Sequence, residues 1–240
     1  MTDRHGSRGK PINPLTGKPL GPHWPQLTAM LERRGITLVI DVGANIGQYA
    51  AALRVSGYGG RIVSFEPLSA AHAELARAAS PDKAWIVAPR TAVGATRGNI
   101  TINVSANSDM SSALPFAAHA ASVFDGDRMV GRETVPLTTV DAILAAHAAV
   151  SDRVFLKSDT QGYDLEVLRG ARASLGRIVG LQIESSLSPI YEGQPDWRAI
   201  IDFLAPHGFT VHFVVPGYFS RRHGRMMEVD LIFFHSGSPA

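Results

Sequence analysis

Four acidic residues stand where an apolar run stops: Asp41 in VIDVGANIG, Glu66 in RIVSFEP, Asp159 in VFLKSD and Glu184 in LQIESS. A fifth, Asp230, lies inside the closing run VDLIFFH. A carboxylate at a strand end can accept hydroxyl hydrogen bonds, take up a proton or bind a hard cation. The chain has no cysteine, which excludes disulfides, thiolate metal sites and cysteine nucleophiles.

The stretch around Asp41 reads D-x-G-A-x-x-G, with Gly43, Ala44 and Gly47 opening a helical pattern. Such a turn brings free backbone N–H groups and the Asp41 carboxylate to the carboxyl edge of a sheet, and side chains at 43 and 47 are expected to block a ligand's approach. It lacks the G-x-G-x-x-G that seats a pyrophosphate on a helix N-terminus. An acid there repels pyrophosphate but suits a ligand with an amino group. Glu66, 25 positions after Asp41 and followed by Pro67, is placed to accept both hydroxyls of a ribose. The pair of features describes S-adenosylmethionine better than NAD. The competing reading is a nucleotide-free α/β domain with a helix-capping turn.

Asp159 and Glu184 fall on strands expected to be neighbours at the same edge. With Asp230 they make three oxygen ligands suited to Mg²⁺ or Mn²⁺. Alternatively Asp159 acts as a base, or Asp159 caps a helix, Glu184 is an ordinary strand-end acid and Asp230 pairs with a basic neighbour. Lys157, two residues before Asp159, shares its side of the strand as a counter-charge. His212 and His223 are alternative bases, weighed against packed or surface histidines; His72, His119 and His147 read as solvated or structural. The basic, aromatic loop GYFSRRHGRMM, Tyr191 and Trp197 are candidates for an acceptor wall, against a solvated turn and a core tryptophan.

The elements that must position these groups alternate. Helix 24–34 precedes a strand at 36–42, then helix 46–56, strand 61–66, helix 69–79 and a strand at 84–88. Strands at 99–105 and 133–140 form a small β insertion before a helix at 139–149. The alternation resumes with strand 154–159, helix 163–174, strand 178–184, helix 196–206 and strands 209–215 and 229–235. This order implies parallel strands with right-handed crossovers. The last connection is too short for a helix, so the final two strands are expected to be an antiparallel hairpin.

The chain has 240 residues, 45% hydrophobic and 18% charged, enough for one sizeable core. We expect an N-terminal arm over 1–22 and a single domain over 23–240. A formal net charge of +2 does not advertise nucleic-acid binding. No signal-peptide core or membrane-length apolar run is present, so a soluble cytoplasmic protein is expected.

VIDVGANIGQYA, SFEP, TAVG, NSDMSSAL, VPLTTVDAIL, LKSDTQGYDLEVLRGA and EVDLIFF together resemble the FkbM family of S-adenosylmethionine-dependent methyltransferases, over about residues 36–235. The resemblance implies a class I methyltransferase fold, a doubly wound, mostly parallel seven-stranded sheet with a reversed last strand. It also implies O-methylation of a hydroxyl on a sugar, glycolipid or glycosylated natural product. By it, Asp41, Gly43, Ala44, Asn45 and Gly47 line the methionine end, Glu66 with Pro67 holds the ribose, and Thr91 and Ala92 lie near adenine. The chain departs from many such enzymes in having APRTAVG, with no acid after the third strand, so adenine falls to backbone groups or to Ser108 and Ser111. The rivals are a nucleotide-dependent oxidoreductase and a noncatalytic cofactor-binding protein; a homodimer is left open.

Overall fold

The computed structural model describes residues 11–118 and 128–236. Residues 1–10 of the expected arm and His119 lie outside the described residues. In chain order the elements are α1 (His23–Arg33), β1 (Leu38–Val42), α2 (Gln48–Val55), β2 (Arg61–Phe65), α3 (Ser69–Ala79) and β3 (Trp85–Val87). An insertion of β4 (Ala92–Val93), β5 (Gly98–Ser105) and β6 (Met129–Thr138) leads into α4 (Val140–His147). Then follow β7 (Val154–Ser158), α5 (Asp164–Arg169), β8 (Ile178–Ser186), α6 (Trp197–Leu204), β9 (Phe209–Pro216), β10 (Phe219–Ser220), β11 (Arg225–Met226) and β12 (Glu228–His235).

The central sheet has seven strands in the order β3-β2-β1-β7-β8-β12-β9. All are parallel except β12, which inserts antiparallel between β8 and β9. β1 and β7 are buried along their whole length, as strands of a parallel sheet covered on both faces should be, even at Asp41 and Lys157. Two core clusters lie on the two faces, one around Ile40, Leu156, Leu181 and Phe233 and one around Val39, Leu53, Phe155 and Phe234. Polar caps fix the helix starts: Thr139 accepts from Ala142 N ahead of α4, and Asp196 accepts from Arg198 N and Ala199 N ahead of α6.

The insertion is a separate three-stranded sheet, β4-β6-β5. Its two-residue β4 is too short to show an alternation and does not figure in the sequence reading. α5 ends at Arg169 rather than reaching 174. At Gly170, which follows it, an ideal Cβ would stand 2.1 Å from the Gly94 carbonyl oxygen, so the chain needs bare backbone there. Residues 11–20 close a small bridge between Ile12 and Pro19, and Asn13 Nδ2 donates to the Gln48 carbonyl at 2.8 Å. No helix among the described residues is long and apolar enough to cross a membrane.

Candidate functional site

Strand register sorts the polar residues into two rows. Val42 pairs with Phe65 and with Ser158, and Ser158 pairs with Ile183. One residue further along, Glu66, Gly43, Asp159 and Glu184 therefore stand level across the carboxyl edge of the sheet. All four line one cavity of about 310 Å³. Two residues deeper, Ser64, Asp41, Lys157 and Gln182 form a parallel row on the same side of their strands.

The deeper row is closed. Asp41 is fully buried and does not line the cavity. Its Oδ2 accepts from Ser64 Oγ at 3.0 Å, and Lys157 Nζ lies 3.3 Å from its Oδ1. Burial pulls the Lys157 ammonium down, but the charges of Asp41, Asp159 and Asp230 outweigh it and hold the group above the ordinary lysine range. Lys157 also donates to the carbonyl of Gly43 at 3.0 Å, tying β7 to the glycine turn. Asp41 thus serves beneath the site instead of inside it, which corrects its placement at the methionine end.

The glycines answer to neighbours within the protein. At Gly43, with φ 72°, an ideal Cβ would lie 1.8 Å from the Asp159 carbonyl oxygen, so the β1 and β7 turns touch through bare backbone. Gly43 still faces the cavity. Gly47, with φ 94°, is held by the Trp85 ring, which a Cβ would meet at 2.7 Å; neither it nor Ala44 lines the cavity. Their role is packing, which the spacing alone does not distinguish from ligand contact.

Glu66 sits just past β2, 4% exposed, with Oε2 accepting from Asn45 N and Oε1 from Leu68 N, both at 2.8 Å. Burial pushes its carboxyl up to about 7 in spite of those two bonds. Pro67, Thr91, Ala92, Asn45 and Ser108 line the same cavity. Leu68, Ala92, Ile100 and Ile102 give it an apolar side.

At the other end Asp159 and Glu184 are joined by a side chain the sequence reading passed over. Gln161 Nε2 donates to Asp159 Oδ1 at 3.1 Å and to Glu184 Oε2 at 2.7 Å. Burial, then the charges of Asp159, Glu228, Asp164 and Asp230, push the Glu184 carboxyl well above its ordinary range. Asp230 is opposite Glu184 on β12, but it does not line the cavity and takes its hydrogen bond from Gln182. The expected metal triad of Asp159, Glu184 and Asp230 is not assembled. An amide donor occupies the space between the first two, and among the described residues no group of three or more His, Cys, Asp or Glu could hold a metal ion.

His212 is not brought to the site. It is exposed on the edge strand β9, against the Phe234 ring, with Nδ1 3.0 Å from the Thr210 carbonyl. Asp109 is a second residue missed; it lines the cavity and accepts from Asn45 Nδ2. It lies within NSDMSSAL, between Ser108 and Ser111. Tyr191 reaches the site from behind, its hydroxyl 2.9 Å from Gln161 Oε1.

Residues 41–211 match the family described as Methyltransferase FkbM domain. No curated protein matches the chain. Similar solved structures include magnesium protoporphyrin IX methyltransferase from Synechocystis PCC 6803 with bound S-adenosylmethionine, 12% identical, covering 88% of this chain and 77% of that one at a TM-score of 0.46. Another is fibrillarin from Aeropyrum pernix with S-adenosylmethionine, also 12% identical, covering 87% and 74% at a TM-score of 0.45.

Proposed function

The chain belongs to the FkbM methyltransferase-domain family, and from that premise we propose that it transfers a methyl group from S-adenosylmethionine to a hydroxyl of a sugar, a glycolipid or a glycosylated natural product. The observation that carries this reading is the acidic, cation-free lining of the cavity. Among the described residues its lining holds four carboxylates, Glu66, Asp109, Asp159 and Glu184, and no Lys, Arg or His. Burial raises Glu66 and Glu184, so the wall is only partly ionised near neutral pH. It still offers acceptors to a cationic donor and to a neutral hydroxyl, and no cation to a phosphate. It disfavours phosphate-bearing acceptors, and in this reading the acceptor is not a nucleic acid.

The lining residues fit the donor. Glu66 retains lone pairs for the two ribose hydroxyls beyond those used by Asn45 N and Leu68 N. The apolar side formed by Leu68, Ala92, Ile100 and Ile102, with Thr91 and Ser108 nearby, suits adenine. Bound there, the donor supplies an electrophilic methyl group.

The remaining work falls to the acid end. An alcohol is a weak nucleophile until its proton is taken. Asp159, about one-third exposed and open to the cavity, is the base in this reading. As the acceptor oxygen bonds to the methyl carbon and the carbon–sulfur bond breaks, the hydroxyl proton passes to Asp159, and much of the rate comes from holding the two reactants in line. Calorimetry with S-adenosylhomocysteine against NAD tests the donor. Transfer of labelled methyl to a panel of sugars tests the acceptor; binding of NAD in preference, or label in no sugar, ends the reading.

A further inference from the structure

Two non-glycine residues among those described have a left-handed backbone, Asn45 at φ 46° and Gln161 at φ 53°, and both line the cavity. Such a conformation costs energy at a residue with a side chain and persists where surrounding contacts over-determine it. Those contacts are visible at Gln161. Its main-chain carbonyl accepts from Ser112 Oγ at 2.6 Å. Its side-chain amide reaches Asp159 and Glu184 through Nε2, and its Oε1 faces the Tyr191 hydroxyl.

Every polar atom of the side chain is therefore engaged, and the pattern sets which way the amide points. Two carboxylates call for the donor end, whereas Tyr191 presents a hydrogen to the acceptor end. Tyr191 shares that hydrogen with the Met110 carbonyl at 3.0 Å, and its ring stacks on Phe116 at 5.3 Å. The same amide thus links the acid pair to the chain segment carrying Ser108, Met110 and Ser112 beside the cavity.

We propose that Gln161 is a positioning residue for methyl transfer, its carboxamide clamping Asp159 and Glu184 in one fixed arrangement and turning Asp159 toward the acceptor hydroxyl. The inference rests on the O-methyltransferase reading for its catalytic part only. Without the amide donor the two acids face each other unshielded, beside Asp164, Glu228 and Asp230 and with Lys157 as the nearby cation. The Asp159 carboxylate is then no longer fixed in its reacting direction, and a misplacement of that kind lowers turnover without touching the ribose end of the site.

The clamp can be read without any acceptor. In amide-selective NMR of the full chain, the Gln161 side-chain protons are assigned by their loss in Gln161→Leu. They should exchange slowly and should move in both Asp159→Asn and Glu184→Gln. Gln161→Leu should keep S-adenosylhomocysteine affinity within about twofold and lower kcat on a methylated sugar by about tenfold or more, with the acceptor KM changing less. Gln161→Gly, which relaxes the left-handed backbone while removing the amide, guards against misfolding and should lose kcat equally. Gln161→Glu keeps the length but replaces the donor, and should not restore turnover. Amide protons indifferent to both acid variants, or full kcat in the glycine variant, overturn the proposal. A wild-type chain that methylates no sugar sinks the functional reading instead and leaves the NMR result to stand.

Discussion

Lys157 and Asp41 face each other directly across β7 and β1, with Nζ 3.3 Å from Oδ1 and side chains 5% and 0% exposed. Removing one partner of a buried pair leaves an uncompensated charge. Lys157→Met should therefore cost about 3–5 kcal/mol in urea unfolding. Adding Asp41→Asn should recover much of that loss, because the stranded carboxylate is gone. A single variant as stable as the parent would show that the pair contributes only register.

The approach of Gly43 to the Asp159 carbonyl permits no side chain. Gly43→Ala should lower stability by about 3 kcal/mol or more and abolish S-adenosylhomocysteine binding, since both turns at the cavity must part to admit the Cβ. Gly59, where an added Cβ meets nothing within 4 Å and φ is not left-handed, supplies the control; Gly59→Ala should be near neutral in thermal unfolding and binding.

Glu66 makes cofactor binding depend on pH. Its carboxyl is raised to about 7 by burial, and ribose hydroxyls donate to the ionised form. Below that value binding must first expel a proton, so affinity for S-adenosylhomocysteine should fall on the order of thirtyfold from pH 8 to pH 5.5. Glu66→Gln should bind more weakly at pH 8 and show a flatter profile by calorimetry.

Stability of the ligand-free protein should run the other way from the usual carboxylate case. Glu66 and Glu228 are raised to about 7 and Asp164 and Asp230 to about 6, in each case first by burial, from unfolded values of 4.5 and 3.8. Between those limits the folded chain binds more protons than the unfolded one, so unfolding free energy contributed by these groups is full below about pH 4 and declines as pH rises toward 7. Urea titrations at pH 5 and pH 7.5 should find the protein more stable at pH 5; the reverse order would contradict the buried acid layer.

Metal removal is a separate check. The Gln161 amide lies between Asp159 and Glu184, so exhaustive chelation should leave methyl transfer within about twofold of the untreated enzyme, and added Mn²⁺ should produce no saturable binding. Loss of activity that Mg²⁺ or Mn²⁺ restores would reinstate the metal reading.

Much of the architecture was legible because its signals are local. The alternation of apolar runs and amphipathic stretches located all seven strands of the central sheet, and the short connection after β9 announced the antiparallel β12. Turn chemistry pointed to Gly43, the family resemblance to Asn45, and the acid just past β2 to Glu66. Asp109 and Gln161 went unselected because a polar residue outside the regular elements carries no periodicity, and most of its partners come from elements tens of positions away. His212 misled for a related reason: an alternating strand tells which residues share a face, but not that β9 is the sheet's far edge.

The sequence by itself determined the strands, the turns that end them and the acids near those ends, since backbone preference and hydrophobic period act over a few residues. Only the tertiary structure decided which acids meet the cavity. Asp41 and Glu66 look alike in sequence, each closing an apolar run before a turn. Strand pairing puts Asp41 one residue inside β1, level with Lys157 and sealed, whereas Glu66 falls one residue beyond β2, level with Asp159 and Glu184 and open. Register is a relation between strands, set by how their apolar faces and hydrogen-bond ladders fit together, and a shift of one residue would turn every one of these side chains to the other face.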